Sequence, residues 1–203
     1  MNPLIEGYRR FREETWPAER QRYEALARRG QKPETLVVGC VDSRVDPQTI
    51  FGAAPGELLV VRNVANIVPP YQPDGGFHGV SAALEFGVKV LGVRRIVVLG
   101  HAQCGGVNAL LEGAPKQAQD FIDPWMSIAE PALWPIPSQF GEEGLHAHFE
   151  RAVVKLSLDN LMSFPWIAER VRSATLELHG CRFDIASGQL TVMADDGWVP
   201  VRV

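Results

Sequence analysis

Cysteine is scarce in this chain, with three in 203 residues. So small and odd a count excludes a disulfide scaffold. Unpaired thiols fit a reducing, cytoplasmic compartment, where metal-binding or catalytic use of cysteine becomes the leading idea. Long apolar runs are also missing: none reaches the ~18 residues of a membrane span, so no membrane association is expected. The N-terminal stretch is polar from Glu6 onward and lacks the apolar segment of a secretory signal. Basic excess is absent as well. The formal net charge of -4 argues against nucleic acid as a partner, because a phosphate backbone selects for clustered Lys and Arg. Arginines do gather near the start (Arg9, Arg10, Arg12, Arg20, Arg22, Arg28, Arg29), but glutamates are interleaved with them. That is the pattern of a solvated or partner-binding helix face.

What is present reads as one domain over residues 1-203, with enough apolar sequence for a sizeable core. No internal repeat, low-complexity tract or linker interrupts it. The first thirty residues read as a helical arm with apolar Leu4, Ile5, Tyr8, Phe11, Trp16, Tyr23 and Leu26, broken in two at Pro17 and capped by Gly30. Strands are predicted at Leu36 to Val38, Glu57 to Val61, Val93 to Leu99 and Thr175 to Leu178, then a hairpin of Cys181 to Ile185 and Gln189 to Met193 around Ser187-Gly188. Helices are predicted after Asp46-Pro47, over Gly79 to Leu91, from Gly105-Gly106 through Leu111, over Gln117 to Ala129 and Glu150 to Leu161, and after a Ser163 cap. Val64 to Gly76 and Pro131 to Gly144 read as loops. The fold class is therefore α/β: a mainly parallel central sheet flanked by helices, with an antiparallel C-terminal edge hairpin and an N-terminal helical arm.

Two short stretches carry the chemistry. Val38-Gly39-Cys40-Val41-Asp42-Ser43-Arg44 and Leu99-Gly100-His101-Ala102-Gln103-Cys104-Gly105-Gly106 each follow a buried-strand pattern. In an open parallel sheet, functional groups collect at the carboxyl ends of strands. Cys40, His101 and Cys104 offer two thiolates and an imidazole, a ligand set for Zn²⁺ with one tetrahedral position left over. Structural zinc sites fill all four positions, whereas catalytic ones keep one open. The plain alternative is two buried cysteines acting as small hydrophobes and one satisfied histidine. Asp42 has two possible roles. It closes the site as a fourth ligand, or Arg44 holds it off the metal in a bidentate pair so that it accepts a hydrogen bond from zinc-bound water. Cys181, on a predicted strand, reads as packing.

The Cys-x-Asp-Ser-Arg stretch at Cys40 to Arg44, followed by His101-x-x-Cys104-Gly-Gly, resembles the β-class carbonic anhydrases. The resemblance runs on through Pro55-Gly56-Glu57, Arg62-Asn63-Val64-Ala65-Asn66, Val68-Pro69-Pro70, Ser163-Phe164-Pro165-Trp166-Ile167 and Leu178-His179-Gly180. It implies zinc held by Cys40, His101 and Cys104, and a catalytic Asp42-Arg44 pair. It implies substrate contacts from Gln31, which reaches across a dimer interface, from Val64 and Phe86 as apolar pocket positions, and from the Gly105 N–H. It also implies an obligate homodimer, or higher even oligomer, in which N-terminal helices embrace the partner. A branch of the family is inhibited by bicarbonate at a second site that uses a Trp three residues before the first ligating Cys. Here Val37 stands at that position, Arg62 is kept, and Gln31 is present, which favours the plant-like branch.

The implied reaction is reversible hydration of CO2 to bicarbonate and a proton by hydroxide formed at zinc. Alternatives are CS2 or COS hydrolysis at the same zinc, or a non-catalytic zinc-stabilised dimeric binding protein. None of His78, His146, His148 or His179 stands out as a proton shuttle.

Overall fold

The computed structural model describes residues 1–136, 139 and 144–202. Six strands make one sheet: β1 Thr35–Cys40, β2 Leu58–Asn63, β3 Arg95–His101, β4 Glu177–Phe183, β5 Leu190–Ala194 and β6 Gly197–Pro200. Their order is β2-β1-β3-β4-β5-β6. The first four are parallel, while β5 and β6 add on antiparallel. Leu36, Val37 and Val38 of β1 are all fully buried, as expected of a central parallel strand covered on both faces. The chain leaves β1 for β2 on one side and continues to β3 on the other. The crevice beyond the carboxyl ends of β1 and β3 is therefore the switch point of the sheet, where ligand sites form.

Eight α-helices flank the sheet among the described residues: α1 Asn2–Arg10, α2 Trp16–Arg29, α3 Pro47–Ile50, α4 Gly79–Glu85, α5 Gly105–Glu112, α6 Ile122–Ser127, α7 Gly144–Leu161 and α8 Pro165–Arg172. The principal core joins α4, α7 and α8 to the sheet through Leu84, Val154, Leu158, Leu161, Phe164, Ile167, Leu36, Ile96 and Val98. Each large aliphatic buried there contributes about 1.5–3 kcal/mol. Glycine lets α7 come close. A Cβ on Gly100 would lie 2.6 Å from Val154 Cγ2, and one on Gly180 would lie 3.0 Å from Val154 Cγ1. On the opposite face Val37, Val45, Leu99 and Cys181 pack with Ile50, Val97 and Val192. A third cluster, around Cys40, Ala65, Ile67, Cys104, Phe149 and Val153, lies under the strand ends.

Several expectations from sequence are corrected. Pro17 does not break the arm. It sits in the first turn of α2, and the helix runs into it through a π-helical turn at Phe11–Thr15. There the Trp16 N–H bonds five residues back to Phe11, so the missing proline donor is absorbed by a wider turn. Another π turn, Phe86–Leu91, extends α4. Within Gln117 to Ala129 only α6 is α-helical. Ser163 does not cap α8, whose N-cap is Phe164. Its hydroxyl instead donates to the Asn160 carbonyl and accepts from the Tyr71 N–H. β4 is one continuous strand where two were expected, because Gly180 makes room for Val154 and Leu158 without breaking the ladder. β6 has no counterpart among the strands expected from sequence. Of the loop expected over Pro131 to Gly144, residues 137, 138 and 140–143 lie outside the described residues.

Candidate metal centre

Cys40 and His101 are the last residues of β1 and β3 rather than the first residues of the loops beyond them. Strand pairing therefore fixes both. Cys104 follows as the N-cap of α5. One ligand atom from each of the three lies within 4.8 Å of the other two, and all three residues are buried. The Cys40 and Cys104 sulfurs are 4.0 Å apart. Two thiolates at ~2.3 Å from one tetrahedral ion would stand about 3.8 Å apart, so the pair is nearly set for zinc. His101 Nδ1 lies 2.8 Å from the Ala102 carbonyl oxygen, which fixes the tautomer with its proton on Nδ1. Its Nε2 is buried with no hydrogen-bond partner. A buried imidazole nitrogen left without a proton donor, beside two buried sulfurs, is the arrangement a cation satisfies.

The electrostatics of the two sulfurs point the same way. The contact with the Cys104 sulfur holds Cys40 well below the usual thiol range, against its burial and with help from His101. The same contact, then burial and the Cys40 charge, push Cys104 up, opposed by the Val107 and Gly106 N–H groups. Two sulfurs so placed share one proton, which a divalent cation displaces. Burial works against a charged His101, but the Cys40 sulfur, the Ala102 carbonyl and Asp42 outweigh it and raise its pKa. Cys181 is different. Burial alone pushes it up to about 11, and it packs in the core as a neutral thiol.

Asp42 stands at the edge of this group, with Oδ2 4.0 Å from His101 Nε2. Arg44 grips it bidentately, Nε to Oδ1 at 3.0 Å and Nη2 to Oδ2 at 2.7 Å, while the Arg44 N–H adds a bond to Oδ1 at 2.9 Å. Arg44 therefore holds Asp42 well below the usual carboxylate range, despite partial burial. The same guanidinium donates to the Gln103 carbonyl at 3.1 Å, tying the two ligand-bearing loops together. Gln103 has φ 55, a left-handed conformation that this contact helps to hold.

The wall beside the ligands comes from the short helical turn Val64–Asn66 that follows β2. Val64 packs against the Cys40 and Cys104 cluster. The turn carries Ala65 at φ 62 and Asn66 at φ 48. Asn63 spans that turn, accepting from the Ile67 N–H and donating to the Ile67 carbonyl, both at 2.9 Å. Gly106 lies directly against it, and a Cβ there would meet Ala65 Cβ at 2.7 Å and Val64 Cγ1 at 2.9 Å. Gly105 opens α5, where a first-turn N–H has no helical acceptor.

Cys40, His101, Cys104, Asp42, Arg44, Val64 and Gly105 are thus gathered at one place. Gln31 and Phe86 are not: Gln31 is exposed at the end of the arm, and Phe86 is 45% exposed at the end of α4. Three supports of the site come from side chains to which the sequence reading gives no such role. Trp125 Nε1 donates to the Val64 carbonyl at 2.8 Å. Glu150 of α7 and Arg182 of β4 form a buried pair at 2.8 Å, with Glu150 also accepting from the Cys104 N–H at 3.5 Å. Arg62 bonds to three carbonyls of the first loop. A lone Glu and a lone Arg on otherwise apolar faces were the available signal for the buried pair. Trp125 had none.

A chain whose parallel sheet presents two sulfurs and an unpartnered imidazole nitrogen at its switch point has the fold and candidate site of an α/β metalloprotein. The sequence profile of the carbonic anhydrase family matches residues 35–190. A carbonic anhydrase of Pseudomonas aeruginosa is 37% identical over 202 residues, covering 95% of this chain and 87% of that protein. Among solved structures, the β-carbonic anhydrase CcaA is similar at TM-score 0.88 and 31% identity, over 100% of this chain and 92% of that one. A tetrameric β-carbonic anhydrase of Sordaria macrospora is similar at TM-score 0.80 and 26% identity, over 99% and 98% of the two chains. This chain belongs to the β-class carbonic anhydrases.

Proposed function

We propose that this chain catalyses the reversible hydration of CO2 to bicarbonate and a proton, with one zinc per chain held by Cys40, His101 and Cys104. The observation that carries the reading is the buried, unpartnered His101 Nε2 converging with two sulfurs beside an aspartate that Arg44 already engages. Zinc, when bound, acidifies a ligated water and so supplies a hydroxide nucleophile near neutral pH.

The chain's own residues do the rest. Asp42 accepts a hydrogen bond from the nucleophile and orients its lone pair, while Arg44 keeps the carboxylate ionised and in place. Val64 and Phe86 form the apolar surface against which CO2 rests. The Gly105 N–H and the Gln31 amide donate to substrate oxygens as negative charge develops. Gln31 and Phe86 are exposed and do not pack in the cluster around Cys40 and Cys104, which fits their delivery across a dimer interface.

The arm supports a homodimer or higher even oligomer. Its Leu4, Ile5 and Tyr8 are 73%, 41% and 61% exposed, a surface that a second copy would cover. Residues 1-203 act as one domain with 1-30 as the dimer arm. Gln31, with Val37 in place of Trp, supports the plant-like branch. Among the described residues no helix is long and apolar enough to cross a membrane. Cys40, Cys104 and Cys181 are free, which supports a reducing, cytoplasmic setting.

Stopped-flow CO2 hydration with elemental analysis is the test. Zinc at one per chain, with hydration that rises from about pH 6 to 9, is expected. Zinc without hydration, or turnover of CS2 or COS alone, would reject the reading.

A further inference from the structure

Arg62 lies on β2 opposite Gly39 of β1, and its side chain runs past the end of β1 into the loop that follows. There it collects three backbone carbonyls: Cys40 through Nε at 2.8 Å, and Asp42 and Val45 through Nη2 at 2.6 Å and 3.0 Å. The nearest carboxylate oxygen, Asp46 Oδ1, is 3.9 Å from Nη1. The fork is thus spent mainly on main chain. The loop's side-chain anchor besides Arg62 is Arg44, which holds Asp42 and donates to the Gln103 carbonyl, and its backbone adds two bonds. Val41 N–H bonds to the Asn63 carbonyl and Val45 N–H to the Asp42 carbonyl. Val41, Ser43 and Arg44 are exposed, and Val45 alone among residues 41–45 is buried.

The loop must nevertheless hold Asp42 to within a small tolerance. Asp42 Oδ2 sits 2.7 Å from Arg44 and 4.0 Å from His101 Nε2, so a shift of under about 1 Å would bring it to the ~3.3 Å that separates two ligands of one tetrahedral ion. Misplacement on that scale costs about 10²-fold in rate. A planar guanidinium with fixed donor directions can hold three carbonyls in one arrangement, whereas a lysine ammonium on a flexible stem cannot reproduce the fork.

We propose that Arg62 is a positioning residue that shapes the Cys40–Val45 loop and acts on the reaction through Asp42. The proposal rests on the carbonic anhydrase reading for its activity measurement, but not for its other two.

Arg62→Lys, which keeps the stem and charge, and Arg62→Met are each made in the wild-type chain and in Asp42→Ala. Against wild type, each lowers kcat/KM for CO2 hydration by about 10- to 100-fold with zinc retained. Against Asp42→Ala, each costs less than about 3-fold, since the residue it acts through is gone. Azide binding to the zinc-loaded protein, by calorimetry, weakens in Arg62→Lys and is restored by adding Asp42→Ala. Amide hydrogen exchange on the metal-free protein quickens at Val41 to Val45 in Arg62→Lys and is unchanged along β3.

Equal losses in both backgrounds, full rescue by lysine, or unchanged azide binding would overturn the proposal. If Arg62→Met does not fold, Arg62→Lys carries the comparison. A wild-type chain with zinc but no hydration rejects the functional reading, while azide and exchange still decide the role of Arg62.

Discussion

At Cys104 three requirements fall on one residue. Its sulfur joins the cation group, its backbone opens α5, and its N–H faces the buried Glu150 carboxylate. Cys104→Ala removes the first and leaves the other two, so the protein should fold yet fall from one zinc per chain to well under a tenth by elemental analysis. Its two neighbours make a sharper pair. Gly105→Ala meets nothing within 4 Å and should change stability by less than about 1 kcal/mol. Gly106→Ala drives a methyl into Ala65 and Val64 and should destabilise by about 1–3 kcal/mol, read as a lower urea midpoint, with reduced activity. At Asp42 and Arg44 the outcome turns on which partner is left. Arg44→Ala frees the carboxylate to compete for the metal, while Asp42→Ala cannot close the site. Both should lose about 10- to 100-fold in hydration with zinc retained. Azide should bind Asp42→Ala and be excluded from Arg44→Ala. Equal azide affinity in the two variants would mean that Arg44 does not restrain Asp42.

Elements differ in how much local sequence decides them. β1 and β3 are uninterrupted apolar runs whose central residues are buried from either side, so their burial follows from composition. α3 is legible for another reason. Asp46 caps it, accepting from the Thr49 N–H at 2.9 Å and the Thr49 hydroxyl at 2.7 Å, and Pro47 occupies the first turn. Those bonds lower the Asp46 pKa below its ordinary value, against its partial burial. A folded-state pKa lowered in this way stabilises above the unfolded value of about 4 and is lost as pH falls through the folded one. Asp46→Ala should therefore cost about 1 kcal/mol at pH 7 by urea unfolding. The difference from wild type should shrink toward zero near pH 2. β4 and α6 lie at the other extreme. Gly180 is a strand breaker by propensity and becomes a strand residue because α7 needs the space.

For the whole molecule, the arm is the feature that the rest of the chain does not explain. Its aromatic residues stack on one another, Trp16 on Tyr23 with ring centroids 5.2 Å apart and Phe11 edge-on to Tyr23 at 6.1 Å. Leu4, Ile5 and Tyr8 remain exposed. If a second copy covers them, wild type should sediment at twice the 22.4 kDa chain mass or a higher even multiple. Leu4→Glu with Tyr8→Glu should shift it toward the single-chain mass. Activity should fall in step, because Gln31 and Phe86 would then be missing from each site. Gln31→Ala should lower hydration without moving either mass or zinc content. A dimeric Gln31→Ala with full activity would remove Gln31 from the substrate site.

The sequence by itself determined the four parallel strands, their direction and the candidate ligand set. Buried parallel strands announce themselves by apolar runs, and Cys and His beside glycine at two strand ends leave little else for those side chains to do. Only the tertiary structure decided how the ligands are held. Arg62, Trp125, Glu150 and Arg182 act on residues between 17 and 61 positions away in the chain. No local period or motif encodes a carbonyl collected from another strand. The positive φ at Ala65, Asn66 and Gln103 was hidden for the same reason. Such backbone costs about 1–3 kcal/mol and persists only where surrounding contacts over-determine it. Here those contacts are the Asn63 bridge, Gly106 and the Arg44 fork, which meet only once the sheet is assembled.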